Sequence, residues 1–333
     1  MLENIEIIDY KCFKDFKLNG LGQINIISGG NNVGKTALLE VLLLITKTTD
    51  IRIFIQILTY IFKNRDLPVE DIDIYLENIN LSFKYNDKNI NIKHKYIEDL
   101  NDEELNEVGK YRGNSEEFLV MSINDKLQII PFIKQNTFNT PFRREKVDIT
   151  FINSSKPNNL KLTELYSNIQ DLNIQNEFLK YLQIIDKNII GIEPQLKGRE
   201  KSYLRITLDN PKKSLLSSEL GEGTNRFIEI LTSLLKSKND VVFIDEIENG
   251  IHYSKLKEIF KVIIEIVQKE DIQLFITTHD SESIEAFGEV CEEVGFKSIS
   301  SIELYKNEEN EVKSIIRNYE QFVASVDAGM EVR

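Results

Sequence analysis

The chain has little of what several function classes require. Its 333 residues include only two cysteines and three histidines. They are too scattered for any zinc-ligand spacing, and Cys12 and Cys291 predict no disulfide in a reducing compartment. No apolar run is long enough to span a membrane; the nearest, Ile51–Phe62, is short and carries Arg52 and Gln56. The opening Met1-Leu2-Glu3-Asn4 lacks the basic, apolar and small-residue regions of a secretion signal, so a cytosolic location is expected. Positive charge is scarce as well: 41 Lys and Arg against 54 Asp and Glu give a net charge of −13. Such a body repels a phosphate backbone over most of its surface, which disfavours tight, sequence-independent DNA binding by a monomer. The local clusters Arg143-Arg144, Lys197-Gly198-Arg199 and Lys212-Lys213 read as solvated patches. No short repeat, low-complexity segment or sustained heptad run stands out. What is present is ordinary for a globular chain, 41% hydrophobic and 29% charged, with length for one large domain or two smaller ones.

The most informative stretch is Gly29-Gly30-Asn31-Asn32-Val33-Gly34-Lys35-Thr36. It fits G-x-x-x-x-G-K-[ST], the phosphate-binding P-loop. Its context fits too: Gln23–Ser28 is β-branched and apolar, a buried strand, and Ala37–Leu44 is rich in helix formers. Glycines let successive backbone N–H groups converge on one anion at a helix N-terminus. Gly29, Asn31, Asn32, Gly34, Lys35, Thr36 and Ala37 are therefore candidate nucleotide-binding residues. Lys35 would reach the β- and γ-phosphates, and the Thr36 hydroxyl would ligate Mg²⁺.

Periodicity organises the rest. Strands are expected at Glu3–Asp9 and Gln23–Ser28, a helix at Ile51–Lys63 and a β-hairpin over Ile72–Lys95 around Asn86-Asp87. Ile97–Tyr111 reads as helix or loop, and Phe118–Lys134 and Val147–Asn153 as strands. Leu160–Asp186 has helical spacing; strands return at Ile189–Glu193 and Tyr203–Asp209. The C-terminal half then alternates: helix Asn225–Lys236, strand Val241–Asp245, helix Ser254–Lys269, strand Gln273–Thr277, helix Ser283–Val294 and strand Ser301–Tyr305, before a short polar ending. That alternation predicts a parallel core with crossover helices.

Val241-Val242-Phe243-Ile244-Asp245-Glu246 is an apolar strand ending in two acids, a Walker B pattern. Asp245 would hold Mg²⁺ directly or through water, and Glu246 would orient or deprotonate the attacking water. Thr36 and Val241 are 241 − 36 = 205 residues apart, a separation that resembles the ABC-type ATPases, where an antiparallel lobe and a helical lobe intervene. Leu220-Gly221-Glu222-Gly223-Thr224-Asn225-Arg226 precedes a helix where that family carries its signature loop; Gly221-Glu222-Gly223 replaces the usual serine-glycine-glycine, with Ser217 and Ser218 nearby. Asp245-Glu246-Ile247-Glu248-Asn249-Gly250-Ile251-His252 continues into a D-loop position, with His252 where an Asp is common. Leu274–Asp280 ends in Thr-Thr-His, like the switch-histidine element, and Ile5–Phe16 is similar to the opening of the SMC/RecF/OLD branch.

The resemblance covers roughly residues 1–60 and 190–310. It implies an α/β P-loop NTPase of ABC type: a mostly parallel core sheet, an antiparallel β lobe and a helical insertion. Residues 1–63 and 187–333 would form the core, 64–153 the antiparallel lobe and 154–186 the helical segment. It further implies ATP and Mg²⁺ as ligands, with Lys35, Glu246 and His279 catalytic and Thr36 and Asp245 on the metal. Gly221, Glu222 and Gly223 would bind the γ-phosphate held by a second subunit of a homodimer or higher oligomer. Asn153 falls near the Q-loop position. Too little chain follows His279 for a TOPRIM nuclease domain. Stand-alone members of this branch work beside a separately encoded effector, frequently in bacterial defence against phage. A RecF-like DNA repair factor and a nucleotide-dependent scaffold with little turnover remain alternatives, and no motif distinguishes ATP from GTP.

Overall fold

The computed structural model describes residues 1–68, 71–85, 87–109, 115–132, 147–197, 201–209 and 213–328. Arg143, Arg144, Gly198, Arg199, Lys212 and the hairpin residue Asn86 lie outside them. The chain opens with strands β1 (Asn4–Tyr10), β2 (Phe13–Asn19) and β3 (Ile24–Gly29), then helices α1 (Lys35–Lys47), α2 (Ile51–Asn64) and α3 (Asp71–Glu77). Strands β4 (Asn80–Tyr85) and β5 (Lys88–Tyr96), helix α4 (Asp102–Val108), and strands β6 (Glu117–Ile123), β7 (Lys126–Pro131) and β8 (Phe151–Ile152) follow. Next come α5 (Asn159–Asp171), α6 (Gln175–Leu182), β9 (Ile189–Lys197), β10 (Lys201–Leu208) and β11 (Lys213–Leu216). The last third is α7 (Glu222–Lys236), β12 (Val241–Ile244), α8 (Leu256–Lys269), β13 (Gln273–Thr277), α9 (Ser281–Val294), β14 (Ile299–Lys306), β15 (Val312–Arg317) and α10 (Tyr319–Asp327).

These strands form three sheets. The central one has the order β15-β14-β3-β13-β12-β8. Its β14, β3, β13, β12 and β8 are parallel, and β15 is antiparallel to β14. Both faces are buried, and side chains alternate between them along each strand. Ile27, Phe243 and Phe275 face one core, whereas Ile24, Ile26, Val242, Ile244, Leu274 and Ile276 face the other. The first core also holds α1, α2 and an antiparallel sheet, β2-β1-β4-β5-β6-β7. Helix α1 is buried from Ala37 to Ile45 because it lies between two sheets, and its sequence is accordingly apolar on every side except Glu40. The second core holds α5 to α10 and a small antiparallel sheet, β11-β10-β9.

The sheet memberships differ from the segmentation read from the sequence. Strands β1 and β2, grouped there with the core, belong to the antiparallel sheet, where β1 pairs with both β2 and β4. Ile189–Lys197, Lys201–Leu208 and Lys213–Leu216, also grouped with the core, make the separate β9–β11 sheet, which packs on α5 and α6. Strand β8, grouped with the lobe, edges the central sheet. The hairpin expected over Ile72–Lys95 forms over its second part, where β4 and β5 pair antiparallel, but its first part is helix α3. Ile72, Ile74 and Leu76 alternate like a strand, but Ile72 and Leu76 are buried one helical turn apart and Ile74 is exposed. Among the described residues, no helix is long and apolar enough to cross a membrane.

Three phenylalanines on adjacent strands brace the centre. Phe243 pairs in register with Phe151 and Phe275, with ring centroids 6.1 Å and 5.7 Å away and near-parallel planes. Phe243 is fully buried. Phe243→Ala should therefore cost about 3–5 kcal/mol in urea unfolding. A loss under about 1 kcal/mol would show that the sheet does not depend on this stack.

Candidate functional site

The glycine loop between β3 and α1 is moulded so tightly that side chains are excluded. Gly29 and Gly34 have φ of 138° and 102°. A Cβ on Gly29 would sit 2.3 Å from the Leu304 carbonyl oxygen, and one on Gly34 would sit 2.8 Å from Cys12 Sγ. Asn31 and Asn32 are exposed at the tip, with Asn32 in the left-handed conformation that Asn tolerates. The Lys35 ammonium donates to the carbonyls of Gly29 (2.8 Å) and Gly30 (2.9 Å). Burial lowers the Lys35 pKa, while the carboxylates of Glu246, Asp245 and Glu248 pull it back up. Ala37 is buried in the first turn of α1.

Strand order decides what faces this loop. Because β13 lies between β3 and β12, a residue at its carboxyl end bridges the two. That residue is Thr277. Its hydroxyl donates to Asp245 Oδ1 at 2.6 Å and accepts from the Glu246 backbone N–H at 2.8 Å. Thr36 Oγ1 donates to Asp245 Oδ2 at 3.0 Å from the other side. Asp245 is buried, and the two hydroxyls offset the cost of desolvating its charge. Glu246 is held at a φ of 51°, a conformation costly for a non-glycine residue and found at functional sites.

Thr36 and Asp245 open into a cavity of about 260 Å³ that Glu40, Arg65, Asn153 and Ser154 also line. Asn153, at the end of β8, is thus brought beside both. Glu40 is a buried carboxylate on α1 neutralised by Lys11 (2.7 Å) and by Arg65, whose Nε and Nη2 donate to its two oxygens. Thr36 and Asp245 offer only hydroxyl and carboxylate oxygens, the donor set of a hard divalent ion that completes its shell with phosphate and water. A magnesium ion fits these residues.

The glycine-rich loop before α7 takes no part in the Lys35 hydrogen bonds described above. Gly221 and Glu222 are exposed, and the N-terminus of α7 has no side-chain cap. Gly223 lies against the D-loop, where a Cβ would meet the Gly250 carbonyl oxygen at 2.5 Å. Ser217 does not extend this surface: it is buried, donating to Asn159 Oδ1 at 2.7 Å and accepting from Leu204 N at 3.2 Å. His279, two residues past β13, is exposed, and its Nδ1 lies 2.9 Å from Glu248 Oε1.

Sequence reading overlooked four residues of this network: Thr277, Glu248, Glu40 and Arg226. Arg226, on α7, is 2% exposed. Its guanidinium donates to the carbonyls of Asn153 (2.6 Å) and Asp245 (2.7 Å) and pairs with buried Glu229. The available signal was a charge next to the apolar residues of a helix, Phe227 and Ile228, as it was for Glu40 among leucines.

Residues 24–285 match the family model described as "AAA domain, putative AbiEii toxin, Type IV TA system". The chain belongs to this AAA family. It is 23% identical over 350 residues to an ATP/GTP phosphatase of Helicobacter pylori (strain ATCC 700392 / 26695), covering 89% of this chain and 90% of that protein. Two crystal structures share its fold at low identity. One is an SMC head bound to the C-winged helix domain of ScpA, with TM-score 0.52 and 11% identity, covering 96% of this chain and 98% of that one. The other is an SMC head with an extended coiled coil, bound to the C-terminal domain of ScpA derived from Pyrococcus furiosus. It has TM-score 0.50 and 10% identity and covers 98% of both chains. The chain is an AAA-family ATPase with the fold of SMC heads.

Thr277→Val tests the bridge within this ATPase. It leaves Asp245 and the Glu246 N–H short of a partner, so stability should fall by about 1–3 kcal/mol. Turnover should fall more than nucleotide affinity, measured by phosphate release and by titration with a fluorescent ATP analogue. Equal losses in both would place Thr277 in nucleotide binding alone.

Proposed function

We propose that this ATPase works as a homodimer or higher oligomer, with each ATP held between the glycine loop of one subunit and the Gly221–Gly223 loop of another. The observation that carries this reading is the uncapped, exposed N-terminus of α7. Its positive dipole end suits a phosphate, and its N-cap residue, Gly221, offers no side chain to cap it. In the same reading, Gly29 to Ala37 receive the phosphates through backbone N–H groups and Lys35. Thr36 and Asp245 hold magnesium, which offsets phosphate charge when bound. Glu246 aligns and deprotonates the attacking water, and His279 senses the γ-phosphate. Neither surface completes the site alone, so nucleotide binding and subunit closure are coupled. Hydrolysis removes the bridging phosphate and loosens the pair.

The cycle regulates or carries a separately encoded effector in bacterial anti-phage defence. Two findings support this setting. The family description names a toxin of a type IV TA system, and SMC heads of the same fold bind a domain of another protein, ScpA. The net charge of −13 weighs against a DNA clamp.

Two variants test the chemistry. Lys35→Ala should abolish ATP binding in equilibrium dialysis. Glu246→Gln should bind ATP as the parent does and release phosphate about a hundredfold to ten-thousandfold more slowly, the range for losing a general base. Normal hydrolysis by the Gln variant would refute the assignment of the base.

A further inference from the structure

Glu248 lies three residues past Asp245, in the loop after β12, with its side chain 10% exposed. A carboxylate drawn that far from water needs partners. The Thr278 side chain hydrogen-bonds it, and its Oε1 lies 2.9 Å from His279 Nδ1 and accepts from the His279 backbone N–H at 3.0 Å. The paired contacts fix both the position of the histidine backbone and the plane of its ring. The ring itself remains 54% exposed, so its far edge is open. The neighbouring turn is fastened separately: Asn249 Nδ2 donates to the Ser154 carbonyl at 2.6 Å, and Ile247 N donates to the Thr277 carbonyl at 3.1 Å. Glu248 therefore stands on a braced support beside the carboxyl ends of β12 and β13, within electrostatic reach of Lys35.

We infer that Glu248 is the positioning residue of His279, holding its neutral ring in the Nδ1–H tautomer with the Nε2 lone pair turned to the open face. The inference rests on the reading of His279 as the γ-phosphate-sensing residue. A carboxylate accepting from Nδ1–H leaves Nε2 as the acceptor, able to take a hydrogen bond from the attacking water. When Nε2 gains a proton, the same carboxylate stabilises the imidazolium, which then donates to a phosphate oxygen. One buried acid thus sets which atom of the histidine meets the nucleotide. Burial raises the Glu248 pKa and the His279 backbone N–H counters it, in keeping with a carboxylate retained for its partner.

The three histidines make this testable by imidazole ¹⁵N NMR, because the other two differ. His94 meets Glu117 through Nε2 at 3.0 Å, and His252 Nδ1 accepts from the Ser254 backbone N–H at 3.3 Å and lies 2.9 Å from the Ser254 hydroxyl. At a pH where the imidazoles are neutral, the full chain should show His279 protonated on Nδ1 and His94 protonated on Nε2. Glu248→Ala should move His279 to the Nε2–H form. Its kcat for ATP should fall about tenfold to a hundredfold, the range for removing a group that orients a functional histidine, with ATP affinity unchanged. Glu248→Gln keeps an acceptor oxygen, so it should keep the tautomer and recover most of the rate. An unchanged His279 tautomer in Glu248→Ala would overturn the inference. So would loss of the tautomer in both variants together with an unchanged kcat. His279→Ala with full turnover would instead refute the sensor reading, and the tautomer spectra identify that case separately.

Discussion

The Asp245 carboxylate is the constraint on which this molecule is built. It is a buried anion at the end of a parallel strand, and it is tolerated because hydroxyls from both directions reach it. Thr36 arrives from the helix after the glycine loop, and Thr277 arrives from the strand wedged between β3 and β12. The strand order is therefore part of the chemistry. Were β12 next to β3, no third strand would link the loop that receives phosphate to the acid that precedes Glu246. Arg226 closes the arrangement from below by gathering the carbonyls of Asn153, Asp245 and Glu246, which ties α7 to the same point.

The antiparallel lobe reaches the site from the other side. The turn joining β1 to β2 puts Cys12 and Phe13 against Gly34, and Lys11 joins Arg65 on the Glu40 carboxylate behind Thr36. The antiparallel lobe thus touches the nucleotide loop through a few defined side chains. Such an organisation lets occupancy of the loop alter the relative stability of packed elements without new machinery.

Much of this was legible in the sequence because the period of the apolar residues matched the element they form. Strand Gln273–Thr277 and helix Ile51–Asn64 show it clearly, the latter announced by Asp50, whose side chain accepts from the N–H groups of Arg52 and Ile53. The glycine loop and the acidic strand end were readable for the same reason: their residue types have few other uses. Reading failed where short segments borrow stability from neighbours. Strand β2 alternates Phe13, Phe16 and Leu18 with charges and turns through Asp15 at a φ of 47°, so its pattern is broken by one residue. Strand β8 is two residues long and exists because β12 lies beside it. The polar ending held β15 and α10; the latter buries Phe322 and is opened by a capping box at Asn318. In the site, Thr277, Glu248 and Arg226 were hidden because their roles arise from contacts across long sequence separations, which no local pattern carries.

The account turns on whether nucleotide joins two copies of the chain. The direct measurement is solution mass by light scattering for the Glu246→Gln chain, with and without Mg-ATP. A rise to twice the 38.7 kDa chain mass, or a higher multiple, only with Mg-ATP is the predicted result. A monomer in both conditions would contradict the shared site, and a large assembly present without nucleotide would contradict closure driven by ATP.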